Sequence, residues 1–352
     1  MDKVKAINYL ENSFLISLLN DKDITDISYN GEDIYYVSNA FGRKKSDIVI
    51  EPQMAKDFVR QMANISEKQF SFTSPNLDIS VGRYRLNATH QSICKVRDEG
   101  AISFALRIAS GEARLTSGDD FFGHPAVEEL LQLLVINRQS LVIGGVTSSG
   151  KTELQKYLIR SMPKNERVLV IDNVLELEAV RKEDLDLTCW QVDEENKEAS
   201  AAKLIRNALR NNPDWLILAE ARGEEMVDVL NASMTGLSVI TTIHAFDAEA
   251  LTYRMGRMVM QSRQKNVYEE VLNDIYYHFH FYIYLRKEEG QDIKRYISEI
   301  IYRSNDGKKH VLYERDGNKK IFYPLDKEMN KFLRKGERSL DFKKAFGERN
   351  EK

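Results

Sequence analysis

The sequence predicts an α/β chain in which a domain with a mostly parallel sheet follows a smaller α+β domain. Three observations carry this reading. From Leu141 onward, short apolar runs alternate with helical patterns as strand, loop, helix, repeated. One of the loops, Gly145-Val146-Thr147-Ser148-Ser149-Gly150-Lys151-Thr152, fits GxxxxGK[ST] between a strand and a helix. The chain has 352 residues, enough for two or three domains at roughly 150 residues each.

Residues 1–20 read as an amphipathic helix, with Val4, Ile7, Leu10, Phe14 and Leu18 at helical spacing. Two β-prone runs follow around Asn30-Gly31, a hairpin signal. Residues 53–65 return to helix, and runs at 77–81, 84–89 and 102–108 read as strands. Residues 1–108 therefore form the α+β domain. Residues 109–118 are small, polar and aperiodic, so 109–124 is read as a linker and 125–352 as the second domain. Pro125 starts a helix over 127–137. Strands are expected at 141–143, 168–171, 215–219 and 238–243. Helices are expected at 151–162, 201–211, 223–235 and 248–261. The remainder looks mixed, with β-like runs at 275–285, 296–302, 310–313 and 321–323.

Composition excludes several classes. Lys plus Arg number 51 and Asp plus Glu 54, a net charge of −3, which argues against binding nucleic acid or acidic membrane by bulk charge. Hydrophobic residues make up 42% and charged residues 30%, which excludes a disordered chain. Cys94 and Cys189 are far apart, so neither a disulfide framework nor a zinc knuckle is expected, and a reducing compartment fits. No run approaches the ~20 apolar residues of a membrane span. Glu11 and Asn12 interrupt any signal-peptide core, so the chain is expected to stay where it is made.

The glycine-rich loop carries the chemistry. Its glycines let backbone N–H groups wrap a phosphate at a helix N-terminus. Lys151 is placed to reach the β and γ phosphates, and Thr152 to offer a hydroxyl to Mg²⁺. Carboxylates follow at the next strand ends, where parallel sheets bind ligands: Asp172 and Glu176 after 168–171, and Glu220 after 215–219. One such acid commonly serves Mg²⁺ and another polarises the attacking water. His244 closes a further strand, where a histidine either donates to a γ phosphate or is structural.

Other signals read as structure. His278 and His280 would share one face of a strand, but no third metal ligand is evident, so they are taken as half-exposed strand residues. Met226, Met234, Met255, Met258 and Met260 are core or interface filler. Residues 331–352, with eight basic and four acidic side chains, read as a solvated end.

Together the boxes resemble the secretion and pilus-assembly traffic ATPase superfamily, of type II and type IV secretion, conjugation and Tad/Flp pili. The P-loop comes first. Ile171-Asp172-Asn173-Val174-Leu175-Glu176-Leu177 is similar to the family's I-E-D-x-x-E-L. Arg206, Arg210 and Pro213-Asp214 fall in a run like LLR-x-x-LR…PD, and Glu220-Ala221-Arg222-Gly223 resembles GE-x-RG. Thr235-Gly236 and Thr241-Thr242-Ile243-His244 resemble its histidine box. The likeness is strongest over about residues 140–260 and weaker around Arg83, Arg85 and Arg107. Ser148, Glu153, Asn173, Ala219 and Leu237 depart from the pattern. The missing four-cysteine zinc site fits the conjugation/type IV secretion or Tad branch better.

The resemblance implies a RecA-like P-loop domain that binds ATP and Mg²⁺ through Gly145, Thr147, Ser148, Ser149, Gly150, Lys151 and Thr152. Glu176 would activate water, Glu220 would hold Mg²⁺ together with Thr152, and His244 would sense the γ phosphate. Arg206, Arg210 and Arg222 would lie near the phosphates or a subunit boundary. Arg83, Arg85 and Arg107 would close the first domain over nucleotide. It further implies a cytoplasmic homo-hexamer on the inner face of the cell membrane, working with a membrane platform protein. Two rivals stand beside it: a nucleic-acid motor on the same core, and a nucleotide-binding scaffold without turnover.

Overall fold

The computed structural model describes residues 2–347 apart from 182–183, 194–195, 263–265 and 291. The chain divides into two units, Met1–Gly111 with Glu289–Ile293, and Glu112–Glu288 with Lys294–Lys352. The division follows Gly111, inside the segment read as linker, and residues 289–293 group with the first unit.

The first unit holds α1 (Lys3–Glu11), α2 (Ile16–Leu19), β1 (Ile24–Tyr29), β2 (Ile34–Ser38), β3 (Gly42–Lys45), α3 (Pro52–Ile65), β4 (Asn76–Val81), β5 (Tyr84–Thr89), β6 (Lys95–Val96), β7 (Glu99–Gly100) and β8 (Ser103–Ile108). Six strands form an antiparallel sheet in the order β3-β2-β1-β8-β5-β4, and β6 pairs with β7 alone. Phe58, Val59 and Met62 of α3 are buried with Ile27, Leu86 and Leu106 of the sheet. The single helix expected over 1–20 is broken. The Ser13 hydroxyl donates to the Leu10 carbonyl at 2.7 Å and accepts from the Leu15 N–H, which diverts the backbone into a turn. The Asn30-Gly31 hairpin is present. Asn30 Oδ1 accepts the N–H groups of Glu32 and Asp33, and Gly31 takes φ +105°, open to glycine at little cost.

The second unit holds α4 (Pro125–Ile136), β9 (Leu141–Gly145), α5 (Lys151–Arg160), β10 (Arg167–Asp172), β11 (Asp186–Gln191), α6 (Ala201–Ala208), β12 (Trp215–Leu218), α7 (Met226–Met234), β13 (Ser238–His244), α8 (Ala248–Met260), α9 (Tyr268–His278), β14 (Phe281–Glu288), β15 (Lys294–Arg303), β16 (Lys309–Asp316), β17 (Lys319–Phe322), α10 (Lys327–Asn330) and α11 (Leu340–Phe346). Its nine-stranded sheet runs β11-β10-β12-β13-β9-β14-β15-β16-β17. Pairing is parallel from β11 to β14 and antiparallel beyond. Leu141 and Ile143 of β9 join a core with α4 and α5, while Val142 faces the opposite core with α7 and α8. Burial on both faces explains why these strands read as unbroken apolar runs.

Two expectations are corrected here. The β-like run at 275–285 is α9 followed by β14. Val271 and Ile275, at helical spacing, bury on one side of α9 and outweigh the β-prone tyrosines. His278 therefore ends a helix and His280 lies between it and β14, so they do not share a strand face. Residues 331–346 are not a solvated end, because Phe342 and Phe346 of α11 are buried in the core beside α4. Residues 348–352 lie outside the described residues.

Candidate functional site

The parallel strands end along one edge of the sheet, and the predicted loop lies there between β9 and α5. Gly150 caps α5 at φ +100° and Ser148 takes φ +59°. A Cβ on Gly145 would come within 2.4 Å of Ser149 Oγ and 2.9 Å of the Leu285 carbonyl, so the loop needs glycine there. Ser149 is fully buried and its hydroxyl has no hydrogen-bond partner among the described residues. A buried orphan hydroxyl inside a glycine cradle at a helix N-terminus suits an anionic ligand. Thr147 is exposed, and Thr152 sits half-buried in the first turn of α5.

Lys151 is mostly buried. Its Nζ donates to the carbonyls of Gly145 (3.1 Å) and Val146 (3.0 Å) and lies 3.2 Å from His244 Nδ1. His244 Nε2 lies 2.7 Å from Glu220 Oε1. The other Glu220 oxygen receives the Arg222 guanidinium, at 2.9 Å from Nε and 2.6 Å from Nη2. A chain of contacts thus runs from the loop lysine through histidine and carboxylate to arginine. Burial and the Lys151 charge hold His244 below its ordinary value, against an upward pull from Glu220. The Lys151 ammonium can only donate, so Nδ1 accepts from it and Nε2–H donates to Glu220. Burial pushes the Glu220 carboxyl up, but Arg222, His244 and Lys151 outweigh it and hold it below the usual range.

Glu176 opens a short 3-10 turn, Glu176–Val180, that packs against α5. Asp172 builds the loop before it. Its carboxylate is buried and accepts the N–H groups of Val174 (3.2 Å) and Leu177 (3.3 Å), while Leu175 takes φ +57°. Burial pushes Asp172 above the usual carboxylate range despite those bonds. Asp172 is therefore a cap of the loop that leads into Glu176.

Of the other predicted arginines, Arg206, Arg83 and Arg85 have partners of their own. Arg206 is bound by Asp228 at 2.7 and 3.1 Å. Arg210 is exposed in a 3-10 turn whose Asn211 carbonyl accepts from Arg167, at the start of β10 and hence the opposite end of the sheet. Arg83, Arg85 and Arg107 lie in the first unit. Arg83 donates to the Tyr84 hydroxyl at 2.8 Å. Arg85 grips Asp78 at 2.8 and 3.2 Å, and Arg107 pairs in register between Arg85 and Asp26. Sequence reasoning missed Arg295, whose Nε donates to the Ser148 carbonyl at 2.8 Å from a strand distant in sequence. No motif marks it.

Among the described residues, no group of three His, Cys, Asp or Glu side chains could hold a metal unaided. Mg²⁺ ordinarily takes one or two protein oxygens and completes its shell with water and phosphate. Thr152 and Glu220 are donors of that kind.

Fold and site together define the class: a RecA-like P-loop domain that follows a smaller α+β unit. Residues 104–274 match the family model described as Type II/IV secretion system protein. Over that region the chain is similar to type II and type IV secretion system proteins. It is 27% identical over 320 residues to an uncharacterized protein of Bacillus anthracis, covering 87% of this chain and 71% of that one. It is 33% identical over 171 residues to the type IV secretion system protein VirB11 of Brucella suis and spans only 47% of that protein's length. The X-ray structure of the Legionella pneumophila ATPase DotB shares the fold, with TM-score 0.58, 18% identity, and coverage of 92% of this chain and 83% of that one. Among the described residues, no helix is long and apolar enough to cross a membrane.

Proposed function

We propose that the chain binds ATP with Mg²⁺ at Gly145–Thr152 and hydrolyses it to ADP and phosphate, driving a secretion, conjugation or pilus-assembly machine. The observation that carries this is the Lys151–His244–Glu220–Arg222 chain joined to the P-loop. The loop amides and Lys151 hold phosphate. Bound Mg²⁺ would supply charge neutralisation at the phosphates, with Thr152 and Glu220 as its protein donors. Glu176, which follows the loop that Asp172 caps, orients and deprotonates the attacking water. His244 reports the γ phosphate to Glu220, and Arg222 is the arginine best placed to follow that change. Arg206 and Arg210 are assigned to a subunit boundary, and Arg83, Arg85 and Arg107 to closure over nucleotide, as the family resemblance implies. The active form is a cytoplasmic homo-hexamer docked on a membrane platform protein at the inner face of the membrane. Net charge near zero argues against nucleic acid as the moving partner.

The test is steady-state ATP hydrolysis by the wild type, Lys151→Ala and Glu176→Gln, with oligomer mass followed in the same samples. Lys151→Ala should abolish binding and turnover. Glu176→Gln should keep binding and lose about 10²–10⁴-fold in rate. Wild-type turnover in Glu176→Gln would refute the assigned base. Tight binding with no turnover in the wild type, as ring or monomer, would refute the enzyme.

A further inference from the structure

The first turn of α5 does more than face the phosphate loop. Glu153, next in sequence to Thr152, uses both carboxylate oxygens. Oε2 accepts the backbone N–H of Arg114 at 2.7 Å, and Oε1 accepts Lys156 Nζ at 2.9 Å. Lys156 lies one turn further along α5, is fully buried, and also faces the Glu112 carbonyl at 3.4 Å. The segment they hold begins where the chain leaves the first unit, since that unit's main span ends at Gly111. Its far end is fixed as well. The Gly118 N–H donates to Glu128 of α4 at 2.9 Å, Glu128 takes the Tyr157 hydroxyl of α5 at 2.6 Å, and the Leu115 side chain lies in the core between.

We propose that Glu153 is a positioning residue that couples the phosphate-binding end of α5 to segment 112–118. Phosphate binds to the amides that open α5, and Glu153 stands in that same turn. A helix turn moves as a rigid piece, so a displacement that seats the phosphates carries the carboxylate and the Arg114 amide with it. A buried lysine is tolerated only when paired, so Lys156 holds the carboxylate in one rotamer and makes the link stiff. Nucleotide occupancy therefore reaches the Arg114 backbone in segment 112–118 through this carboxylate. This inference rests on the nucleotide-binding reading above.

Two double variants of the full chain isolate the link. Glu153→Gln with Lys156→Met keeps an acceptor for the Arg114 amide, and Glu153→Leu with Lys156→Met removes it. Both discard the buried charge, so both are spared an unpaired lysine. The measurement is hydrogen–deuterium exchange of residues 112–118 and 145–152, with and without ADP and Mg²⁺. Without nucleotide, the Arg114 amide should exchange about tenfold faster in the Leu variant than in the Gln variant. With ADP and Mg²⁺, residues 145–152 should gain protection in all three proteins. Residues 112–118 should respond in the wild type and the Gln variant and stay unchanged in the Leu variant. Equal responses of 112–118 in the Leu variant and the wild type, with 145–152 protected, would overturn the coupling and leave nucleotide binding intact. No response at 145–152 in the wild type would overturn the nucleotide reading, and the coupling with it.

Discussion

Replacing Asp172 with alanine should separate the scaffold of the site from its chemistry. Its carboxylate accepts the N–H groups of Val174 and Leu177 in a buried loop that also holds Leu175 at φ +57°. A hydrogen bond to a charged group contributes about 1.5–3 kcal/mol net. Burial offsets part of that here, since the carboxyl is pushed above its usual range. About 1–1.5 kcal/mol for each of the two bonds gives a loss of about 2–3 kcal/mol. In a unit of this size, each kcal/mol moves the melting temperature by about 2–4 °C, so a fall of roughly 4–12 °C is expected. Asp172→Asn keeps one acceptor oxygen and should recover about half. Calorimetry on the three proteins gives the stability, and hydrolysis at a temperature well below all three transitions gives the activity. Asp172→Ala should lose turnover by more than its unfolded fraction, because the loop that leads into Glu176 loses its cap, while ADP affinity holds. A melting temperature within about 1 °C of wild type would refute the capping argument. A stability loss with full turnover would refute the link from cap to Glu176.

Two further outcomes follow from the same geometry. The folded His244 titrates below the ordinary 6.5, so the folded state takes up its proton less readily than the unfolded chain. Its contribution is present above that value and lost as pH falls through the folded pKa; the melting temperature should decline below about pH 6.5, and His244→Asn should flatten that decline. A Cβ on Gly144 would lie 2.6 Å from Leu251 Cδ2, so Gly144→Ala should destabilise by about 1–3 kcal/mol in urea unfolding. Adding Leu251→Ala opens the space, and the double variant should lose less than the sum of the single losses; additivity within about 0.5 kcal/mol would show that the clash is absent.

The phosphate loop was legible because it depends on local backbone chemistry: two glycines, a lysine and a threonine at fixed spacing between a strand and a helix. Glu220 and His244 were legible for a related reason, since each follows an apolar run that ends at the ligand edge of the sheet. The distant partners were not. Arg295 reaches Ser148 from a strand far along the chain, and nothing in its neighbourhood marks the contact. Arg206 and Arg210 looked alike in sequence, yet one is tied to Asp228 and the other sits at the far end of the sheet. Strand β11 escaped because it is a half-exposed edge strand, Asp186-Leu187-Thr188-Cys189-Trp190-Gln191, without an apolar run. The β-prone tyrosines of α9 misled for the opposite reason, since burial of Val271 and Ile275 overrode their propensity. Glu153 stood out only as a departure from the family pattern, and its partners at Arg114 and Lys156 appear in the folded chain alone.

The place of β9 sets a schedule for synthesis. This strand carries the phosphate loop at its end, yet it lies inside the sheet, between β13 and β14. Both neighbours are made much later, at Ser238–His244 and Phe281–Glu288. A ribosome that has released residues up to Thr152 has therefore produced every atom of the loop but neither strand that holds it in register. Such long-range pairing is slow and leaves apolar edges bare in the meantime. A nascent chain halted before β14 would display β9 with one open side. The register that fixes the glycine-rich loop is thus completed late, when β14 pairs with β9.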